Sequence, residues 1–284
     1  ITARIEPRQA TVPASFHLAE HFRPAIDKPQ YQAHIARIQD YILAGDCYQV
    51  NYAQRFEATL EGDAWSAYRY VRTLLAGGFS GFLRTAEDHA ILSLSPERFL
   101  RIHQGTVTSQ PIKGTAPRHT DPEQDAALAK ALLNTEKDRA ENVMITDLLR
   151  NDLGRVCEFA SIAVPELMRL EKFAQVQHLV STVEGRLRPE LSHLAALRDC
   201  FPGGSITGAP KFRAMEIIDE LEPVTRGPYT GSLGYLGFNR ESQFNIAIRT
   251  AIVRDGQVHF QVGAGIVADS DPEMEYEETL AKAR

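Results

Sequence analysis

Two pairs of carboxylates stand at helical spacing in this sequence. Asp138 and Glu141 lie three residues apart in a helical pattern and so project from one face. Glu275 and Glu278 repeat the arrangement in the most acidic stretch of the chain, together with Asp269, Asp271, Glu273 and Glu277 and with no basic residue among them. If the two pairs face each other, they suit a Mg²⁺ ion that keeps part of its water and takes a further oxygen ligand from a substrate. On spacing alone, solvated acids that complement a helix dipole explain both pairs more simply.

A second constellation joins Lys113 to Glu97. The run SQPIKGT (109–115) puts a lysine at a strand end just before a glycine, and Glu97 sits in SPERF on the strand before it. With a hairpin turn at Gln104-Gly105, Glu97 falls opposite Ile112, within a residue of Lys113. A lysine beside a glutamate suits a nucleophile with a proton donor, provided the amine is neutral. Strict alternation sends the two side chains to opposite faces, so the pair requires a bulge, expected near Pro111. A surface ion pair is the simpler account of any Lys–Glu neighbours.

Glycines and isolated polar residues supply further candidates. GGSITGAPK (203–211) ends a loop and opens a helix, so its backbone N–H groups suit an anion. It is no nucleotide-binding P-loop, because Ala209 and Pro210 separate Gly208 from Lys211 and no Ser or Thr follows the lysine. Gly263-Ala264-Gly265 lets a ligand approach the backbone. Arg249, in the apolar run NIAIRTAIV, calls for a carboxylate partner from the protein or from a ligand. His178 in VQHLVS has apolar neighbours on both sides, which by itself indicates a hydrogen-bonded structural histidine.

These residues must be positioned by regular elements. Residues 1–28 read as an irregular lead-in, a remnant of an N-terminal part, and 29–284 as one catalytic unit with no linker inside it. A helix from Pro29 puts Tyr31, Ile35, Ile38 and Ile42 on one face and stops at Gly45. CYQVNYAQRFEATL reads as a strand. AILSL, ERFLRIH and TVTSQPI are short strands, the last two joined at Gln104-Gly105. A helical block spans Pro122 to Leu149 with a break at Asn134-Thr135, and a strand is expected over Val156–Val164. A helix runs from Pro210 to Leu221. A hairpin pairs Asn245–Arg254 with Gln257–Gly263 around Asp255-Gly256, and an acidic helix begins near Asp271. Hairpins in two blocks with helices between and after them give an α+β fold with large antiparallel sheets.

Composition narrows the function classes. A net charge of −6 without a basic cluster argues against nucleic acid, and no apolar run reaches the length of a membrane span. Cys47, Cys157 and Cys200 are widely spaced without metal-ligand pattern, which suits a reducing cytoplasm.

Nine runs in order along residues 29–284 resemble the chorismate-utilising enzymes, a family that includes anthranilate, aminodeoxychorismate, isochorismate and salicylate synthases. They are GDCYQVNYAQRF, SPERFL, PIKGTAPR, KDRAENVMITDLLRNDLGRVC, VQHLVSTVEG, GGSITGAPKFRAMEIID, GPYTGSLGY, NIAIRTAIV and GAGIVADSDPEMEYEETLAKA. The resemblance implies the chorismate-binding fold, with large sheets packed face to face and helices outside. It implies Glu141 and Glu278 as direct Mg²⁺ ligands, with Asp138 and Glu275 supporting through water. Asp138 stands where anthranilate synthases carry glutamate. Gly114, Thr115, Tyr229, Arg249 and the 263–265 glycine run match substrate contacts, and His178 and Ser205 match positions near the ring, with Ser205 and Thr207 both candidates for the hydroxyl.

Two positions separate the branches. PIKGT with lysine is the aminodeoxychorismate pattern, whereas sister enzymes carry alanine at position 113. The water-activating lysine of isochorismate and salicylate synthases is replaced here by Gln49. The resemblance therefore implies attack by Lys113 on C2 of chorismate, protonation of the departing C4 hydroxyl by Glu97, and displacement by ammonia, which a glutamine amidotransferase partner supplies. Anthranilate synthesis and a non-catalytic chorismate- or amino-acid-binding module are the alternatives. The family's longer N-terminal part is largely missing from this sequence.

Overall fold

Helix and strand signals alternate through the chain, and a computed structural model, describing residues 15–75, 77–173 and 176–283, shows how they assemble. After β1 (Phe16–Leu18) and β2 (Arg23–Pro24), α1 (Lys28–Leu43) begins behind Asp27, whose carboxylate caps the Gln30 N–H. Tyr31, Ile35 and Ile38 form its buried face, and Gly45 follows with φ +82°. The long strand β3 (Gln49–Gly62) leads into α2 (Ala64–Leu74). Then come β4 (Phe79–Ala86), β5 (His89–Ser95), β6 (Arg98–His103), β7 (Thr106–Gln110) and β8 (Ile112–Pro117).

The expected helical block is two helices, α3 (Pro122–Asn134) and α4 (Glu136–Gly154), split at Thr135 and running five residues beyond Leu149. They are followed by β9 (Ala163–Lys172), β10 (Val176–Arg186) and α5 (His193–Cys200). A 3-10 turn (Gly204–Ile206) and β11 (Gly208–Ala209) precede α6 (Lys211–Leu221). The chain closes with β12 (Gly234–Leu236), β13 (Ser242–Asn245), β14 (Thr250–Arg254), β15 (Gln257–Ile266) and α7 (Pro272–Ala283).

All pairings are antiparallel and form two sheets. One runs β1-β3-β15-β14-β5-β4, with β2 and β11 also on β3; the other runs β12-β13-β6-β7-β10-β8, with β9 on β10. Each sheet is apolar on the side that helices cover. Phe99, Leu100, Ile102 and Val107 of the second sheet pack with Ile145, Leu149 and Leu153 of α4 and Cys200 of α5. Val50, Tyr52, Ala264 and Ile266 of the first sheet pack against α1 and α6.

Four expectations change. The lead-in is structured from residue 16, where β1 pairs with Leu60–Gly62 and β2 with Phe56–Glu57; its first fourteen residues lie outside the described ones. The strand foreseen over Val156–Val164 begins only at Ala163, after an isolated bridge between Cys157 and Leu187. The strand expected over Asn245–Arg254 is two strands in different sheets. β13 pairs with β6 and β14 with β5, so the chain crosses between sheets at 246–249. Asn245 secures the crossing by donating to Phe79 O (2.8 Å) and Ser93 Oγ (3.2 Å) of the first sheet. Finally, the bulge lies in β6. His103 faces Thr106 and Arg101 faces Thr108, but Arg98 faces Gln110, one residue out of step, while Pro111, lacking an N–H, separates β7 from β8.

A buried ion pair ties the glycine-rich loop to α4. Lys211 Nζ donates to Asp152 Oδ1 (2.6 Å) and to the carbonyls of Pro202 (2.8 Å) and Cys200 (3.3 Å). Without its ammonium, Asp152 is left charged and enclosed. Lys211→Ala is expected to cost about 3–5 kcal/mol, read as a fall in the urea midpoint; an unchanged midpoint would show that the loop is held by other means.

Candidate active site

The bulge in β6 brings Glu97 to the start of β8. The residue is 4% exposed. Ser205 Oγ donates to Glu97 Oε1 at 2.6 Å, and the Ile112 backbone N–H also donates to the carboxylate. Burial dominates and pushes the Glu97 carboxyl up to about 7, against the opposing effects of Ser205 and the nearby Lys113 charge. A carboxylic acid so placed carries or releases its proton near neutrality. Of the two hydroxyls considered, Ser205 is therefore the one on Glu97; Thr207 Oγ1 is turned to the Gly203 and Gly204 carbonyls (3.2 and 3.3 Å).

Lys113 follows on β8, largely covered, with Nζ 3.6 Å from Glu141 Oε2 on α4. Gly114 has φ +80°, and a Cβ there would lie 3.2 Å from Asp138 Cγ, so the glycine lets α4 approach this strand. Thr115 Oγ1 shares a 2.8 Å hydrogen bond with His178 Nδ1 across the β8–β10 pairing. His178 is buried; burial first, and the Arg249 charge second, hold its pKa below the usual histidine range, so the ring is neutral at pH 7. Its hydrogen bond to Thr115 is that of a structural histidine, and it places the ring two residues along β8 from Lys113.

Arg249 lies on the crossing between sheets, with φ +48°, and not within a strand. Its exposed side chain makes no ion pair among the described residues, leaving its guanidinium free for a ligand carboxylate. β15 supplies the opposite wall. A Cβ on Gly263 would meet the Tyr229 hydroxyl (2.9 Å) and Asn51 Nδ2 (3.1 Å), and one on Gly265 would collide with the Gln49 amide. Ala264 alternates to the other face and is buried in the core with Tyr52 and Ile266, so only its backbone is available to the site. Gln49 Nε2 is buried without a hydrogen-bond partner. Burial pushes the buried Tyr229 phenol up to about 12.

The carboxylate pairs come near each other without closing into a cluster. Among the described residues no three of His, Cys, Asp and Glu gather at metal-holding distance. Burial chiefly raises the pKa values of Asp138 and Glu275, and the charge of Glu278 raises both further. Lysines balance them: Lys113 beside Glu141 (3.6 Å), Lys137 beside Glu275 (3.8 Å) and Lys282 on Glu278 (2.5 Å). Glu275 Oε1 also accepts from Ser270 Oγ at 2.8 Å. The donors are all carboxylate oxygens under mutual repulsion, which fits a hard divalent cation such as Mg²⁺.

Sequence reasoning missed Lys282, whose Nζ also donates to Gly263 O at 3.2 Å and so joins α7 to the glycine wall. Its signal was its position four residues after Glu278. Asn51, two residues beyond Gln49 on β3, was equally legible by alternation.

A family model described as chorismate binding enzyme matches residues 2–284. The aminodeoxychorismate synthase component 1 of Klebsiella aerogenes is 51% identical over 99% of this chain and 62% of its own length. The anthranilate synthase component 1 of Streptomyces coelicolor is 44% identical over 98% of this chain and 54% of its own. Among solved structures, anthranilate synthase component I from Streptococcus pneumoniae superposes with a TM-score of 0.84 at 39% identity, covering 96% of this chain and 59% of that one. The menaquinone-specific isochorismate synthase MenF from Escherichia coli gives 0.83 at 25% identity, over 95% and 62%. The chain thus spans about three fifths of the length of the three aminodeoxychorismate synthase component 1 relatives it matches.

Burial of Glu97 has a stability signature. Its carboxyl ionises at 4.5 when exposed and about 7 in the fold, so between these values the folded state holds the extra proton. Stability is therefore lost as pH rises from 4.5 through 7. Glu97→Gln removes that loss and should gain about 3 kcal/mol on the wild type across this window, measured by urea unfolding at pH 4.5 and 8. A difference that stays flat with pH would contradict the buried titration.

Proposed function

The chain belongs to the chorismate binding enzyme family, and on that footing we propose that it converts chorismate and ammonia to 4-amino-4-deoxychorismate in the p-aminobenzoate branch of folate synthesis. The observation that carries this reading is Lys113 beside a buried Glu97 whose carboxyl is pushed up to about 7. The 48–51% identity to three bacterial aminodeoxychorismate synthase components supports it.

In the proposed reaction Lys113, once its ammonium proton has passed to solvent, attacks C2 of the ring, the double bond shifts, and the C4–O bond breaks. Glu97 gives its proton to the departing hydroxyl, which leaves as water. Ammonia then adds at C4 and gives a proton back to the Glu97 carboxylate, the double bond returns, and the bond to Lys113 Nζ breaks to free the amine. Splitting the substitution this way replaces one hard step by two easier ones. Neutral His178 offers its ring without adding charge, and Arg249 holds a substrate carboxylate. Glu141 and Glu278, supported by Asp138 and Glu275, would hold Mg²⁺, which would position the substrate and offset its negative charge. Ammonia comes from a glutamine amidotransferase partner. Free, buried Cys47, Cys157 and Cys200 agree with a reducing cytoplasm, and no described helix is long and apolar enough to cross a membrane.

Anthranilate synthesis is the second reading, because anthranilate synthase components match at 40–46% identity. A binding-only role is countered by the retention of Glu97, Lys113, Glu141 and Glu278 together.

The test is incubation with chorismate, Mg²⁺ and an ammonium salt, with products identified by mass. Aminodeoxychorismate is expected, with turnover lost on chelation by EDTA and an adduct on Lys113 that disappears in Lys113→Ala. Glu97→Gln should lower turnover by about 10²- to 10⁴-fold. Anthranilate and pyruvate as products would place the chain in the sister branch.

A further inference from the structure

Three segments that carry site residues are not adjacent in sequence: the N-terminal end of β3 with Gln49 and Asn51, the 3-10 turn with Ser205, and the loop with Tyr229. A single largely covered side chain touches all three. Arg226 Nη2 donates to Asn51 O at 2.5 Å, and Nη1 donates to Ile206 O (3.0 Å) and to Thr230 Oγ1 (3.4 Å). Its guanidinium also lies 5.6 Å from the centroid of the Tyr229 ring. Glu222 fixes it in place through a two-pronged contact, Nε to Oε2 (2.9 Å) and Nη2 to Oε1 (2.5 Å), with the Glu222 side chain 3% exposed. Glu222 Oε1 further accepts the Ala53 N–H at 2.9 Å, so the pair is itself anchored to β3.

We propose that Arg226, held by Glu222, is the positioning residue that aligns Ser205 with Glu97 and Tyr229 with the glycine wall, so that both work on one bound substrate. A planar guanidinium presents its donors in a fixed fork, which an ammonium does not reproduce. Other contacts restrain the turn individually: Lys211 at Pro202, Thr207 at Gly203 and Gly204, and the Asn51 N–H on Thr207 O. Among the described residues, Arg226 alone joins the turn to both β3 and the Tyr229 loop through one side chain. The consequence for chemistry rests on the activity proposed above; the consequence for geometry does not.

Ser205 reports the alignment, because its hydroxyl stabilises the ionised form of Glu97, whose other neighbours are the Lys113 ammonium and the Ile112 N–H. The experiment is a carbon-13 NMR titration of carboxyl-labelled glutamate, with the Glu97 signal assigned by its loss in Glu97→Gln. Ser205→Ala should raise the midpoint by about one unit. Arg226→Gln should move it in the same direction, and the double variant no further than Ser205→Ala alone. Chorismate turnover in Arg226→Gln should fall at least tenfold. A folded Arg226→Gln with the wild-type midpoint and turnover overturns the proposal. Should that variant not fold, Arg226→Lys decides: it keeps a charge opposite Glu222 but not the fork, so the upward shift supports the positioning role and a wild-type midpoint rejects it. If the wild type makes no product, the proposed activity fails while the titration still settles the alignment.

Discussion

A carboxyl group removed from water sets the terms for the rest of this site. Glu97 has one hydroxyl and one backbone N–H as direct partners and a lysine nearby; the N–H and the lysine belong to adjacent residues of β8, while the hydroxyl comes from the 203–207 turn about a hundred residues further on. It is enclosed where the β6 bulge, the break at Pro111 and the 203–207 turn come together. Polar groups so enclosed must be satisfied or else shift their protonation. Here the structure does both in part, and the resulting acid is poised where a proton can be passed.

The same economy governs the carboxylates on α4 and α7. Burial and mutual repulsion disfavour their charge, while three lysines neutralise it. Lys113 takes part in two of these balances at once, between Glu141 on one side and Glu97 on the other. A cation drawn to the carboxylates would alter the electrostatic surroundings of that lysine as well as those of the substrate.

What the sequence disclosed followed from local rules. The Gln104-Gly105 and Asp255-Gly256 turns were readable because both residues of each adopt positive φ, and α1 because its apolar residues repeat at helical spacing. The need to bring Glu97 to Lys113 implies a bulge, yet it lies on the strand opposite Pro111, since proline draws attention to itself and a register slip at 98–101 leaves no mark in composition. The passage of 245–250 from one sheet to the other was hidden because NIAIRTAIV is uniformly strand-like. Helices α2 and α5 and strand β4 were passed over among short mixed runs. Most site residues emerged from family resemblance rather than periodicity. Arg226 did not emerge at all, because an i,i+4 Glu–Arg pair is ordinary on any helix end and only its buried carbonyl partners distinguish it.

The pairing of β3 with β15 has a consequence for how the protein is made. Thr59 of β3 meets Gln257 and Val50 meets Ile266, so partners are separated by roughly 200 residues of chain. At a ribosomal pace of about 5–20 residues per second, β3 waits on the order of 10–40 s for its neighbour. The β6–β7 hairpin closes over a two-residue turn and needs no such delay, whereas its flanking partners β10 and β13 lie far along the chain. During synthesis the β6–β7 hairpin therefore has time to form first, while the long β3 strand of the other sheet stands without its β15 partner. In that interval the nascent chain is most exposed to mispairing and has most use for a chaperone.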